Sequence, residues 1–315
     1  MKRTNVTCYR MPLPHVRTRI VIAVAIGIAA GILTWLFLSR FDQGAGDFGW
    51  AIRAARYLFR GQNPYDTPLE QYPITAAAFA LPFISLRPEI AGAAFYGISS
   101  ALLALGLTRK GYHRLLVFLA YPYWAGMIAV QWSPLLMAAA LFPLLLPATM
   151  AKPQIGLPIA ANYFTRRGAI ASVFLLLLTI LVLPRWPLWW IRQFGNYQHF
   201  IPIFVFPGPF IILALLRWRD QDARFLFLTS LMPQRWFFDS FILWLIPNTR
   251  RELVWTILLS WLPGIWRWYF IPRSFTEVGR WAVMFFYLPM LAIIWMRSRK
   301  PSQEANVGAV ACKCM

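Results

Sequence analysis

The chain has 315 residues, of which 59% are hydrophobic and only 13% charged. Soluble globular domains carry about 25% charged residues, so this composition excludes a fold wrapped in a water-exposed surface. The net charge of +20 fits Lys and Arg gathered in cytoplasmic loops. It also suits anionic partners, either membrane lipid headgroups or a lipid-phosphate substrate. Nucleic acid is not an expected partner, because no basic helix or aromatic platform lies in a soluble region.

Residues 1–19 are polar and carry Lys2, Arg3, Arg10, Arg17 and Arg19. Ile20 to Leu38 follows without a charge, long enough to cross the hydrocarbon core. A signal peptide has a shorter apolar core and a small-residue cleavage site, so a retained first helix with its N-terminus inside is expected. Residues 39–72 form the longest polar stretch, expected outside, with Asp42, Asp47, Asp66 and Glu70 among Arg40, Arg53, Arg56 and Arg60. Residues 48–59 are amphipathic. Trp50, Ala54, Tyr57 and Leu58 fall on one side and Arg53, Arg56 and Arg60 on another, the pattern of a helix lying on a membrane surface.

Apolar segments resume near 74–86, 90–108, 115–130, 134–150, 154–165, 168–184, 200–216, 224–247, 253–270 and 278–296. Several are too short to span alone, and 224–247 is interrupted by Pro233, Gln234 and Arg235. Broken helices at membrane depth are tolerated where they line a cavity. The expected fold is all-α, a polytopic integral membrane helical bundle of about ten membrane segments. It fills residues 1–300 as one domain with a large first outer loop, and 301–315 is a polar tail. Cys8, Cys312 and Cys314 lie in the tails and give neither a disulfide framework nor zinc spacing.

With 11 acidic residues in the chain, each can be weighed for chemistry. Asp220, Asp222 and Glu252 sit beside arginines in expected cytoplasmic loops, and Glu89 follows Pro88 as a helix-start acid. Asp239 falls inside an apolar segment, where an ionisable group is a functional candidate or a partner for Arg235 one turn earlier. Asp47, in Gly44-Ala45-Gly46-Asp47-Phe48, reads as the N-cap of the amphipathic helix, a role compatible with chemistry at the membrane surface. His199 ends an outer loop rich in tryptophan (Trp186, Trp189, Trp190). No triad, metal cluster, Walker loop or dinucleotide fingerprint is present, so no metal and no cofactor is expected.

The order of these features resembles the polyprenyl-phosphate-dependent glycosyltransferases of the multi-pass C class, most closely glycosyltransferase family 87, the mannosyltransferase type. The resemblance rests on Gly46-Asp47-Phe48, Gly61-Gln62-Asn63-Pro64-Tyr65 and Tyr72-Pro73. Gln131-Trp132-Ser133, Lys152-Pro153 and Pro233-Gln234-Arg235-Trp236 continue it, over about residues 20–250. Ile74 stands where the family pattern has a second Pro, Val130 where it has Gly, and Phe238 and Asp239 where it often has His or Tyr. The resemblance implies transfer of a sugar, mannose by analogy, from a polyprenyl-phosphate donor to a lipid-linked or glycan acceptor. The site would face outward from a bacterial cytoplasmic membrane. Asp47 would be the catalytic base. Lys152 and Arg235, with His199 and Arg192 behind them, would stabilise the departing phosphate. Tyr72, Gln131 and Trp236 would line the sugar pocket. The competing expectations are a transporter or lipid flippase built around broken helices, which would depend on Asp239 or Lys152 at depth, and an inactive relative of the enzyme.

Overall fold

The structure, a computed structural model, describes residues 16–66, 72–193 and 198–297. Among these residues the architecture is all-helical, and the one strand-like pairing is an antiparallel bridge between Phe200 and Gln234. In chain order the α-helices are α1 (Val16–Phe41), α2 (Gly49–Phe59), α3 (Thr75–Ala80), α4 (Pro88–Leu107), α5 (Tyr121–Ile128), α6 (Ser133–Ala139) and α7 (Pro153–Asn162). They continue as α8 (Arg166–Val182), α9 (Trp186–Arg192), α10 (Gln221–Ser230), α11 (Arg250–Tyr269), α12 (Phe275–Ala282) and α13 (Leu288–Met296). The polar tail 301–315 lies outside the described residues.

Among the described residues, three helices are long and apolar enough to cross a membrane: Val16–Phe41, Pro88–Lys110 and the continuous Phe275–Met296, in which a π turn joins α12 to α13. A fourth is reached if α8 and α9, bent by 92° at their junction, count as one span. The apolar stretches expected near 115–130, 134–150, 200–216 and 224–247 are instead broken into short helices and 3₁₀ turns such as Tyr112–Leu119, Pro143–Met150, Gly208–Arg217 and Phe237–Leu245. Proline is one reason. Pro122, Pro134, Pro143, Pro147, Pro207, Pro209 and Pro233 each remove a backbone donor inside these runs.

Helix starts follow local chemistry. Pro88 opens α4 with Glu89 in its first turn, as the sequence suggests. Thr249 and Glu252 form a reciprocal capping box on α11. α1 and α4 run antiparallel through small residues. A Cβ placed on Gly27 would stand 2.8 Å from the Gly97 carbonyl, so the two backbones touch.

This pairing defines two ends. At one, Arg19 near the start of α1 reaches Thr108 and the Leu105 carbonyl. The same end gathers Arg109, bonded to the Leu141 carbonyl, and Arg114, bonded to Asn248. It also holds Arg297, which binds Asp222 and Glu252. At the opposite end α1 turns into the loop that carries Asp47 and then α2. There Trp50, Ala51, Ile52, Ala54 and Ala55 are buried while Arg53 stays exposed.

Candidate functional site

Asp47 sits in a 3₁₀ turn, Gly46–Phe48, that leads into α2. The turn requires glycine at its head. Gly46 has φ +55, and a Cβ there would lie 2.7 Å from the Ala129 carbonyl. That carbonyl accepts the Asp47 backbone N–H at 2.8 Å, which pins the turn against the end of α5. The Asp47 carboxylate does not cap α2, whose N-cap residue is Phe48 with no side-chain cap bond. The N-cap expectation is thereby corrected: the carboxylate is turned toward the cavity.

Lys152, immediately before α7, is 1% exposed. Its Nζ lies 3.3 Å from Asp47 Oδ2 and 3.0 Å from Asp239 Oδ1, and it donates to Gln131 Oε1 at 2.5 Å. The rings of Phe238 and Tyr72 face the same ammonium at 5.3 and 5.9 Å. A buried charge is tolerated where it is paired and hydrogen-bonded, and Lys152 has hydrogen bonds to Asp47 and Gln131 and an ion pair with Asp239. Asp239, fully buried in the first turn of Phe237–Leu245, accepts the Arg235 backbone N–H on its other oxygen at 2.9 Å. The expected pairing of Asp239 with Arg235 therefore runs through the Arg235 backbone, while the Asp239 charge is matched by Lys152.

Tyr72 stacks on Trp50 with ring centroids 4.2 Å apart, and its hydroxyl lies 3.5 Å from Asp47 Oδ1. Its backbone carbonyl accepts from the Tyr65 hydroxyl at 2.9 Å, so the two tyrosines of the first polar loop hold each other. Gln131 follows Val130, a non-glycine residue at φ +49. For a β-branched side chain this is an outlier of the kind that clusters at functional sites.

Asp47, Tyr72, Gln131, Lys152, Arg235 and Trp236 together line a polar cavity of about 330 Å³, closed on one side by Ile128, Ala129 and Phe238. Asp239 stands behind Lys152 and does not line it. His199, exposed beside the Phe200–Gln234 bridge, does not line it either, nor does Arg192 at the end of α9. Ile128, Ala129, Trp236 and Phe238 are shared with a second hollow of about 950 Å³. This groove runs between α5 and α11 and is walled by Tyr121, Trp124, Trp261, Gly264, Ile265 and Trp268. Gly264 keeps it open where Tyr121 packs, since a Cβ there would reach the Tyr121 ring at 2.5 Å. Arg267 lies in the groove wall with its guanidinium 5.7 Å over the Trp236 ring. Sequence reading missed Arg267, because its approach to Trp236 is a long-range contact.

In comparisons with known proteins, no family model, no curated protein and no solved structure matches this chain.

Proposed function

We propose that this protein is a polytopic membrane glycosyltransferase that takes its sugar from a lipid-phosphate donor, with Asp47 as general base. One observation carries the reading. A polar cavity containing a partly exposed carboxylate adjoins an aromatic-lined apolar groove across a shared wall of Ile128, Ala129, Trp236 and Phe238. A donor with a polyprenyl tail and a sugar-phosphate head needs those two environments in contact. Apolar tails are driven into such grooves by burial, while the head group requires placed polar partners.

In this reading the acceptor hydroxyl approaches Asp47 Oδ1, the oxygen nearer Tyr72, because Oδ2 faces Lys152. Asp47 takes the hydroxyl proton as the oxygen bonds to the anomeric carbon, and the bond from that carbon to the phosphate oxygen breaks. A base must stand within hydrogen-bond reach of the proton it removes. Negative charge then collects on the leaving phosphate. Arg235 in the cavity and Arg267 in the groove flank Trp236 at the junction of the two hollows, where fixed cations stabilise that charge. Lys152, the other cation expected from sequence, is committed to two carboxylates and Gln131, which suits it to aiming Asp47 rather than to binding phosphate. Arg109, Arg114, Arg217 and Arg297 gather at the far end of the bundle; in this reading that end faces inward under the positive-inside rule, and the Asp47 cavity faces outward.

The test uses purified protein in lipid nanodiscs with radiolabelled polyprenyl-phosphate mannose and a mixed lipid-glycan acceptor extract. Wild type is expected to transfer label, and Asp47→Asn to lose about 10²–10⁴-fold in rate, the usual worth of a general base. Equal transfer by both proteins would remove Asp47 from the mechanism. Donor release or flipping that depends on Lys152 and Asp239, without transfer, would support the transporter reading.

A further inference from the structure

The acid at position 239 has no role in the transfer step described above, yet it is the most deeply buried charge beside the cavity, at 0% exposure. It makes two unlike contacts. Oδ1 stands 3.0 Å from the Lys152 ammonium, and Oδ2 accepts the Arg235 backbone N–H at 2.9 Å. Lys152 in turn reaches Asp47 at 3.3 Å. The ammonium therefore stands between two carboxylates, the inner acid sealed from the cavity and the outer one 21% exposed on its side chain. A lone Lys–Asp pair would draw the ammonium fully onto Asp47, since opposite charges in a low-dielectric site attract strongly. A second, buried carboxylate pulls it back.

We infer that Asp239 is a positioning residue that acts through Lys152, holding the ammonium back from Asp47 so that one Asp47 oxygen stays open to the cavity. Through Oδ2 the same residue fixes the backbone of Arg235, so a single side chain sets the spacing between Asp47 and the arginine across the cavity. Its consequence for catalysis rests on the transferase reading, but the restraint on Lys152 does not.

The test has two arms, run on the full chain in nanodiscs with wild type, Asp239→Asn, Lys152→Met and the double variant. The first arm follows acetylation of Lys152 by a water-soluble amine reagent, read by peptide mass spectrometry against Lys110 in the same molecule. With the inner carboxylate neutralised, Lys152 leans toward the cavity. Labelling in Asp239→Asn is expected to rise about tenfold, the equivalent of losing ~1.4 kcal/mol of restraint. The second arm measures transfer from radiolabelled polyprenyl-phosphate mannose. Asp239→Asn is expected to lower turnover about 10–100-fold with KM for the donor held within about threefold, the signature of an interaction felt in the transition state. The double variant is expected to lose no more than Lys152→Met alone, because residues acting through one another are not additive.

Unchanged Lys152 labelling in an Asp239→Asn protein that melts like wild type would overturn the inference. So would fully additive losses in the double variant. If Asp239→Asn does not fold, Asp239→Glu replaces it. That variant keeps the charge and is expected to keep labelling slow while slowing turnover; fast labelling in it would overturn the inference. If wild type transfers nothing, the transferase reading fails and the labelling arm alone decides the role of Asp239.

Discussion

Arg297, just past α13, ties four segments together, and its removal gives a measurable cost. Its guanidinium donates to Glu252 at 3.0 and 2.7 Å, to Asp222 at 2.5 Å and to the Ile246 carbonyl at 2.7 Å. These bonds fasten α13 to the starts of α10 and α11. The side chains of Arg297, Asp222 and Glu252 are 24%, 18% and 16% exposed, so the pairs are neither free surface contacts nor sealed ones. Breaking a buried pair costs about 3–5 kcal/mol, whereas an exposed one is worth about 0–1. Arg297→Met is therefore expected to cost about 2–3 kcal/mol, between those limits. The loss falls chiefly on Asp222, because Glu252 keeps the N–H groups of Asn248 and Thr249 at 2.7 and 3.2 Å. Adding Asp222→Asn to the Arg297→Met variant is expected to recover about 1 kcal/mol by removing an uncompensated charge. The assay is thermal unfolding in detergent micelles followed by tryptophan fluorescence. A cost of this size corresponds to a drop of roughly 4–12 °C, at the ~2–4 °C per kcal/mol of domains of about 150–250 residues. A melting point within 1 °C of wild type would show that water replaces Arg297 without loss, and the fastening argument would fall.

Other outcomes follow from the same structure. Burial alone would push the Glu252 carboxyl up, but bonds from Arg297 and from the Asn248 and Thr249 N–H groups outweigh it and hold Glu252 below its ordinary value of 4.5. Its stabilising contribution is thus fully present above that value and fades as pH falls through the folded one. The difference in melting point between wild type and Glu252→Gln is expected to be largest near neutrality and to shrink as pH falls below 4.5; a gap that widens in acid would contradict this. Asp222 runs the other way, since burial raises it despite Arg297: its charged form is the costly one, and its contribution weakens as pH rises through the folded value. At the α1–α4 contact, Gly97→Leu is expected to lower the melting point and yield of folded protein. A Cβ at Gly97 already meets the Gly27 carbonyl at 2.7 Å, and overpacking of this kind costs about 1–3 kcal/mol. Unchanged stability would mean that α1 shifts freely along α4.

Part of the candidate site was readable along the chain. Gly46, Asp47, Tyr72, Gln131, Lys152, Arg235 and Trp236, singled out by type and order, do come together around one cavity. Position 130 is instructive. Val130, a β-branched residue, adopts φ +49 there. The turn before Gln131 thus has a backbone shape natural to glycine, at a strain of about 1–3 kcal/mol. His199, Arg192 and Asp239, also singled out along the chain, do not line the cavity, and the Asp47 side chain does not cap α2. A helical cap depends on local φ and ψ, and the contact of Gly46 with the Ala129 carbonyl, far along the chain, sets those angles.

By itself the sequence determined the apolar composition, a first long helix around the uncharged run Ile20 to Leu38, which the fold extends to Val16–Phe41, and the amphipathic character of residues 48–59, found as Gly49–Phe59. These are properties of short windows, where hydrophobicity and the 3.6-residue period act directly. It could not determine that Lys152 would stand between Asp47 and Asp239, which lie 105 and 87 residues away. Nor could it bring Arg267 over Trp236 or open an apolar groove beside a polar cavity. Those features exist only once broken helices have packed, because the partners of a buried charge are chosen by the whole fold and not by its neighbours in the chain.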